Sequence, residues 1–152
     1  MARADRLRIA RSGDIYNVVA RENVQPDGLY IRKIAGKTVY SHVVVIEAKK
    51  FVFVSGQLPR ASDGSHVGPG DMRLQIEQVG RNLTTALSAV GCTLNDLICT
   101  KTYVTDIEEF FKHSDIREKY FGPGMPASTT VEVRRLSHPD FMVEVDAIAA
   151  AK

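Results

Sequence analysis

The chain has 152 residues, of which 44% are hydrophobic and 25% are charged, and its formal net charge is +2. This length suits one domain with a single core, and the composition excludes a disordered chain, a disulfide scaffold and a fibrous repeat. No run of about 18 apolar residues occurs, which excludes a membrane-spanning helix. The first residues lack the apolar stretch of a secretory signal, and two cysteines fit a reducing compartment, so we expect a cytoplasmic protein.

Basic residues concentrate at the start of the chain. The first 11 residues contain one aspartate and four arginines, Arg3, Arg6, Arg8 and Arg11. We predict that residues 1–22 form a basic N-terminal extension and that residues 23–152 form the folded domain. Such an arm can contact nucleic acid, but without interleaved aromatic residues it is more typical of a solvated arm or an oligomer contact. We therefore do not expect a nucleic-acid partner.

The first half of the domain predicts two strands and a helix. The β-branched and aromatic runs Val43–Ile46 and Phe51–Ser55 flank a charged turn and predict a hairpin. A loop of turn-forming residues follows and ends at Asp71, which is a typical N-cap residue. Apolar residues between Met72 and Val90 recur every three or four positions, which predicts one amphipathic helix that Gly91 terminates.

The second half predicts a strand, a helix and a further hairpin. Leu97–Val104 is rich in β-forming residues, and Asp106 can cap a second helix that continues to Gly122. The strands Thr129–Leu136 and Phe141–Ala149 are joined by a turn and predict a hairpin. This order predicts an α+β fold in which two helices cover one face of a sheet. The opposite face is then buried most readily by another copy of the chain, so we predict a homo-oligomer.

Several segments resemble one known family. They are Phe-Val-Phe-Val-Ser-Gly-Gln (51–57), Gly-Asp-Met-Arg-Leu-Gln (70–75), Tyr-Val-Thr-Asp (103–106), Pro-Ala-Ser-Thr-Thr-Val-Glu-Val (126–133) and Val-Glu-Val-Asp-Ala-Ile-Ala (143–149). Together they resemble the RidA family, also called YjgF/YER057c/UK114. The resemblance implies a chorismate-mutase-like α+β subunit with a mixed sheet, assembled as a homotrimer with sites in clefts between subunits. It also implies hydrolysis of enamines and imines to keto acids and ammonia, without a metal or an organic cofactor.

The resemblance suggests roles for three residues. The glutamate that holds the reacting water in the family falls on Glu144, and two pocket-lining residues fall on Tyr40 and Ser55. From the residues alone, Glu144 could instead form a cross-strand salt bridge with Arg134 or Arg135. Tyr40 could equally be a half-buried packing residue with a hydrated hydroxyl.

One motif departs from the family pattern. The archetypal deaminases have an arginine that binds the substrate carboxylate where this chain has Ser128, and they often have a cysteine where it has Thr130. A serine hydroxyl cannot replace a fixed cation. Arg117, at a position where relatives often have an aromatic pocket residue, is our candidate for a substitute cation. The alternative is a surface arginine that pairs with Asp115 or Glu118.

The sequence therefore predicts an enzyme that uses no cofactor and acts on a small molecule at a carbon–nitrogen bond, as a deaminase or a lyase. The loss of the arginine favours a larger or aromatic-derived substrate, as in the aminomuconate deaminases and hydroxylaminobenzoate lyases of the family. The main alternative is a non-catalytic trimer that binds a small metabolite. An RNA-directed or chaperone-like role, also credited to the family, is supported only by the arginine-rich extension. The four histidines have no metal-ligand spacing, so we predict no metal site.

Overall fold

The computed structural model describes residues 20–34 and 36–151. The strands are β1 (Ala20–Val24), β2 (Lys33–Ile34), β3 (Lys37–Thr38), β4 (Val43–Glu47), β5 (Lys50–Gln57), β6 (Leu97–Val104), β7 (Ala127–Glu132) and β8 (Val143–Ala151). The α-helices are α1 (Met72–Ser88), α2 (Ile107–Lys112) and α3 (Ser114–Phe121). A short 3₁₀ helix, Leu94–Asp96, precedes β6.

The largest sheet has four strands in the order β5-β8-β6-β7. Strand β8 is antiparallel to both β5 and β6, whereas β6 and β7 are parallel. The sheet is therefore mixed. One of its faces packs against the three helices, and the core lies between these two layers, with residues of β8 and α1 completely buried. The predicted α+β class, with a mixed sheet and helices on one face, is confirmed.

Helix α1 follows the sequence prediction closely. An Asp71 carboxylate oxygen accepts a hydrogen bond from the Leu74 amide at 3.0 Å, as expected of an N-cap. Ile76, Val79 and Leu83 are completely buried, because their spacing places them on one side of the helix. The helix ends two residues before the predicted Val90.

The second predicted helix is wrong in one respect, since it is divided into α2 and α3 at His113. Asp106 caps α2 as predicted. Phe110 and Ile116 are six residues apart, which would place them on different faces of a continuous helix. The break at His113 turns the chain so that both are buried in the same core. The described part of the chain therefore has three α-helices rather than the predicted two.

Both predicted hairpins are also wrong. Strand β4 pairs with β1, and β5 pairs with β8. Strand β7 does not pair with β8 but lies parallel to β6 at the edge of the sheet. The reason is that β8 is the most thoroughly buried strand, with no exposed residue, and such a strand is most stable between two neighbours. It therefore inserts between β5 and β6.

The N-terminal part of the chain packs against the loop that precedes β7. Strand β1 begins three residues before the expected boundary of the folded domain at residue 23. The Asn23 side-chain amide donates to the Gly124 carbonyl at 3.0 Å, and Arg21 donates to the same carbonyl. The predicted basic extension lies largely outside the described residues.

The face of the sheet opposite the helices is open in the single chain. Phe53 is 76% exposed and Phe51 is 47% exposed, although both belong to a strand in the sheet. Val131 on β7 is also exposed. Apolar side chains of this size on a sheet face are typical of a surface that another molecule covers. Among the described residues, no helix is long and apolar enough to cross a membrane.

Candidate functional site

The parallel pairing of β6 and β7 places a group of hydroxyls beneath the helices. Thr100 pairs with Ser128 and Thr102 pairs with Thr130, so the members of each pair share a face of the sheet. Thr100 and Thr102 are buried on the helix side, and the Thr100 hydroxyl donates to Ser128 Oγ at 3.1 Å. Ser128 and Thr130 therefore face the helix layer at the edge of the sheet.

Thr102, Ser128 and Thr130 line a cavity of about 230 Å³ between the sheet edge and helices α2 and α3. We call it the arginine cavity, and the residues that define it are Arg32, Tyr40, Thr102, Arg117, Ser128 and Thr130. Four of the six predicted site residues thus lie together: Tyr40, Arg117, Ser128 and Thr130. Sequence reasoning missed Arg32, because no pattern distinguishes it from its basic neighbour Lys33.

Arg117 is a partly buried cation that forms no ion pair with any described carboxylate. Its guanidinium carbon lies 4.3 Å from the centre of the Phe110 ring and 4.6 Å from that of Phe111. Arg117 Nε and Nη1 are buried, and neither has a hydrogen-bond partner within residues 20–34 and 36–151. Burial, and to a lesser extent the charge of Arg32, lowers the pKa of Arg117 to about 10. The side chain is therefore still charged at neutral pH.

The alternative interpretation of Arg117 as a paired surface residue is wrong. Asp115 instead forms two hydrogen bonds with Arg73, at 2.6 and 2.9 Å. Glu118 lies 3.9 Å from the Lys37 ammonium group. The two carboxylates nearest in sequence are therefore engaged elsewhere, and Arg117 remains available to a ligand of the arginine cavity.

Backbone contacts hold Tyr40 beside the strand that bears Ser128. The Ser41 amide donates to the Pro126 carbonyl at 3.2 Å, and the Ser41 hydroxyl donates to the Met125 carbonyl at 2.7 Å. Met125 has a φ of 46°, which is unusual for a residue with a side chain. Ser41 therefore fixes a strained turn and places its neighbour Tyr40 in the wall of the cavity.

Glu144 lies on the other face of the sheet. It alternates on β8 with Val143 and Val145, which are completely buried beneath the helices, so its side chain emerges on the open face. Gly56 makes this possible, because a Cβ at that position would overlap Glu144 Oε1. Ser55, the residue before Gly56, is exposed, and its side chain forms no hydrogen bond with Glu144 in the described chain.

A shallow cleft surrounds Glu144, and we call it the glutamate cleft. It is lined by Gly56, Tyr103, Arg135, Glu144 and Asp146 among others. The Tyr103 hydroxyl donates to Asp146 at 3.2 Å. Burial raises the pKa of Glu144 above its usual value, and the negative charge of Asp146 raises it further. Neither Arg134 nor Arg135 forms a salt bridge with Glu144 among the described residues, so that alternative is wrong.

The structure also brings together a cluster that the sequence did not suggest. His66, His138 and Asp140 come from two separate loops, and their potential ligand atoms lie within 4.8 Å of one another. Arg60 Nη1 lies 3.2 Å from His66 Nε2, and His66 Nδ1 lies 2.9 Å from Asp140. Because a guanidinium only donates, His66 accepts from Arg60 and donates to Asp140. This chain of hydrogen bonds connects the two loops, which explains why the three side chains lie together. The absence of a metal site stays a prediction.

Comparison with known proteins gives consistent matches. The family model described as Endoribonuclease L-PSP matches residues 31–151. A RutC family protein of Pyrococcus horikoshii is 36% identical over 115 residues, which cover 76% of this chain and 90% of the relative. A protein named 2-iminobutanoate/2-iminopropanoate deaminase from Rattus norvegicus is 28% identical over 110 residues, which cover 72% of this chain and 78% of the relative.

The solved structures agree with these matches. A protein of the conserved Rid family from Yersinia pestis superposes with a TM-score of 0.74 and 25% sequence identity. The superposition covers 86% of this chain and 98% of the Yersinia protein. The fold that the sequence motifs implied is therefore confirmed over nearly the whole described chain.

Proposed function

Because the chain belongs to the RidA family, we propose that it is an enzyme that hydrolyses an imine or enamine and releases ammonia, without an organic cofactor. The observation that supports this best is Arg117, a half-buried cation of the arginine cavity that has no anionic partner among the described residues. It can bind a substrate carboxylate in place of the arginine that Ser128 replaces. The name of the rat relative, an imine deaminase, agrees with this chemistry.

In the proposed reaction, the oxygen of a water molecule adds to the imine carbon. Glu144 accepts a proton from this water and gives it to the nitrogen, which forms a carbinolamine. Glu144 then takes the proton of the new hydroxyl group and passes it to the amino nitrogen, and the carbon–nitrogen bond breaks to give a ketone and ammonia. A carboxyl group whose pKa is raised is suited to both steps, because it exchanges protons nearer to neutral pH than an ordinary glutamate. An enamine enters the same route after a proton is added to its carbon.

The arginine cavity would bind the rest of the substrate. Arg117 would pair with the carboxylate, and the hydroxyls of Tyr40, Ser128 and Thr130 would hydrogen-bond to the same end of the molecule. Ser55 would line the part of the site next to Glu144. This arrangement orients the imine carbon and leaves the chemical step to the carboxyl group and water.

The two halves of this site lie on opposite faces of the sheet in one chain, so the proposal requires a second copy. The open face bears Glu144 together with the exposed side chains of Phe51 and Phe53. Packing that face against the arginine cavity of a neighbour would bury these rings and bring Glu144 towards Arg117. A homotrimer with three sites between subunits, located in the cytoplasm, is part of this proposal.

We further propose that the substrate differs from the smallest amino-acid imines, because Ser128 removes the cation that those substrates use in the family. Imines or hydroxylamines that arise in the breakdown of aromatic compounds, such as aminomuconate or hydroxylaminobenzoate, belong to this proposal. With a hydroxylamine the enzyme would act as a lyase. A panel of imines and aromatic hydroxylamines, assayed for ammonia release, distinguishes these substrates from the smaller ones.

The test of the reaction is the change Glu144→Gln, which keeps the shape of the side chain and removes its acid–base function. Imines are generated in the assay by oxidation of amino acids, and keto acid and ammonia are followed above the spontaneous rate. The matched control is Glu47→Gln, an exposed carboxylate on β4. We expect the wild type and the control to accelerate hydrolysis and Glu144→Gln to fall to the spontaneous rate. Equal rates in all three proteins would refute the proposal.

Mixed oligomers test whether the site forms between chains. Glu144→Gln and Arg117→Gln subunits, each inactive alone, are co-expressed in equal amounts. If one subunit supplies Glu144 and its neighbour supplies Arg117, random mixing restores about a quarter of the sites. If each site lies within one chain, no activity returns. Mass spectrometry of the intact complexes measures the number of subunits.

The second candidate function is a trimer that binds a small metabolite without reaction, and Ser128 is the observation that favours it. A ligand that binds only the folded protein must raise its melting temperature. Stabilisation by a carboxylic acid, combined with no acceleration of any imine in the panel, would favour this second function over the enzyme.

A further inference from the structure

The arginine cavity contains a second cation. The Arg32 guanidinium carbon lies 4.5 Å from the centre of the Phe111 ring, and that of Arg117 lies 4.6 Å from the same centre. Arg32 comes from the segment just before β2, and Arg117 comes from α3. Two separate parts of the chain therefore place a guanidinium group beside the same aromatic ring. Both side chains line the cavity and both are half-buried.

Neither cation is neutralised by the described protein. Within residues 20–34 and 36–151, no carboxylate lies within 4.0 Å of the nitrogens of Arg32 or Arg117. Glu118 also lines the cavity, but its charge is balanced by Lys37. Contacts with aromatic rings contribute only about 0.5–2 kcal/mol to each guanidinium, so they do not replace a paired anion. Arg32 and Arg117 are therefore two cavity-lining cations, each without a described carboxylate at ion-pair distance.

A ligand with one negative charge would leave one of these cations unpaired in a partly desolvated cavity, which is unfavourable. A ligand with two negative charges would pair both. The volume of about 230 Å³ lies below the roughly 300 Å³ at which pockets for drug-sized ligands begin, so the ligand is small. A small molecule that offers two planar anionic groups to two guanidinium forks is a dicarboxylate.

We infer that the arginine cavity selects a dicarboxylate, with one carboxylate on Arg117 and the second on Arg32. This inference rests on the proposed function and names its substrate class, the imine or enamine of a short dicarboxylic acid. Arg117 then holds the carboxylate beside the reacting carbon, as already proposed, and Arg32 determines specificity by binding the distal carboxylate. The hydroxyls of Thr102 and Thr130 lie in the same cavity as additional donors.

The test measures binding without turnover. The probes are two keto acids with the same five-carbon chain, 2-oxoglutarate with two carboxylates and 2-oxopentanoate with one, and affinities are measured by calorimetry. A charge-assisted pair on Arg32 should make the dicarboxylate bind about ten- to a hundredfold more tightly. Arg32→Gln should remove this preference, because it should weaken the binding of 2-oxoglutarate far more than that of 2-oxopentanoate. Arg117→Gln should weaken the binding of both.

Lys33→Gln is the matched control, because it removes one positive charge from the neighbouring exposed position and should retain the preference. Arg32→Lys keeps the charge without the planar fork and should give an intermediate preference. This second variant keeps the inference testable if Arg32→Gln does not fold. Equal affinities of the two keto acids in the wild type, or an undiminished preference in Arg32→Gln, would overturn the inference. So would inorganic phosphate that binds as tightly as 2-oxoglutarate.

Ammonia release is measured separately on the imines of the same two acids. A preference for the dicarboxylate that depends on Arg32, with no acceleration of either imine, would support the dicarboxylate site and refute the proposed hydrolase. Acceleration of the monocarboxylic imine alone would support the hydrolase and overturn the inference. The two proposals can thus fail independently.

Discussion

Gly80, in the middle of α1, is the point at which the first and third helices touch. A Cβ at this position would overlap the Tyr120 ring at Cγ, Cδ1 and Cδ2. Tyr120 is only 7% exposed, so its ring cannot move into solvent without losing its place in the core. The ring therefore lies directly on the glycine backbone, and this contact positions the helix that contains Arg117.

Two effects of opposite sign act in Gly80→Ala. Alanine favours a helix interior over glycine by about 0.5–1 kcal/mol, which would stabilise the protein. Forcing a methyl group into a closely packed core costs about 1–3 kcal/mol. Because three ring atoms are overlapped and the ring is confined, we expect packing to dominate. The net loss should be about 1–2 kcal/mol, which corresponds to a fall in melting temperature of roughly 2–8 °C for a domain of this size.

Urea unfolding of the wild type, Gly80→Ala, Tyr120→Ala and the double variant measures both effects, at one protein concentration because assembly affects apparent stability. In the Tyr120→Ala background the ring is absent, so Gly80→Ala should become stabilising by up to about 1 kcal/mol. A Gly80→Ala protein more stable than the wild type, or the same destabilisation in both backgrounds, would refute the steric argument.

Three further predictions concern stability. Asp71→Ala removes the N-cap of α1 and should lower the free energy of unfolding by about 1 kcal/mol in urea, whereas Asp71→Asn should retain most of it. Burial raises the pKa of Glu144, so Glu144→Gln should raise the melting temperature at neutral pH. The gain should shrink as the pH falls below this raised pKa and be absent below the ordinary pKa of a glutamate; a constant gain would contradict the prediction. The hydrogen bond from His66 lowers the pKa of Asp140, so Asp140→Asn should destabilise the protein at neutral pH, and urea titrations should show this deficit vanishing as the pH falls through the lowered pKa.

The helices were the most predictable part of the fold, because their signals are local. Asp71 and Asp106 both cap helices where the sequence placed them. The strand partners were not predictable, since neighbouring strands joined by a short turn usually form hairpins and both predicted hairpins are absent. The position of β8 depends on which strand gains most from burial on both faces, and that comparison involves the whole chain.

The candidate site was predictable in composition but not in arrangement. Sequence motifs indicated Glu144, Ser128 and Arg117 separately, and the structure places the last two in one cavity. The strand register places Glu144 on the opposite face, and the sequence motifs do not give that register. Arg32 was not predicted, because its role depends on the ring of Phe111, which is distant in sequence.

The separation of Glu144 from the two arginines has a chemical advantage. If the carboxylate faced Arg117 in the same cavity, the two would form a salt bridge, which would lower the pKa of Glu144 and compete with the substrate carboxylate for the cation. Because the sheet lies between them, burial instead raises the pKa of Glu144, and Arg117 has no anionic partner in the described part of the chain. Each group bears an uncompensated desolvation cost in the single chain. Under the proposed assembly, the substrate would lie between Arg117 of one subunit and Glu144 of its neighbour and would pair with the cation, which would keep the carboxyl group from forming that salt bridge.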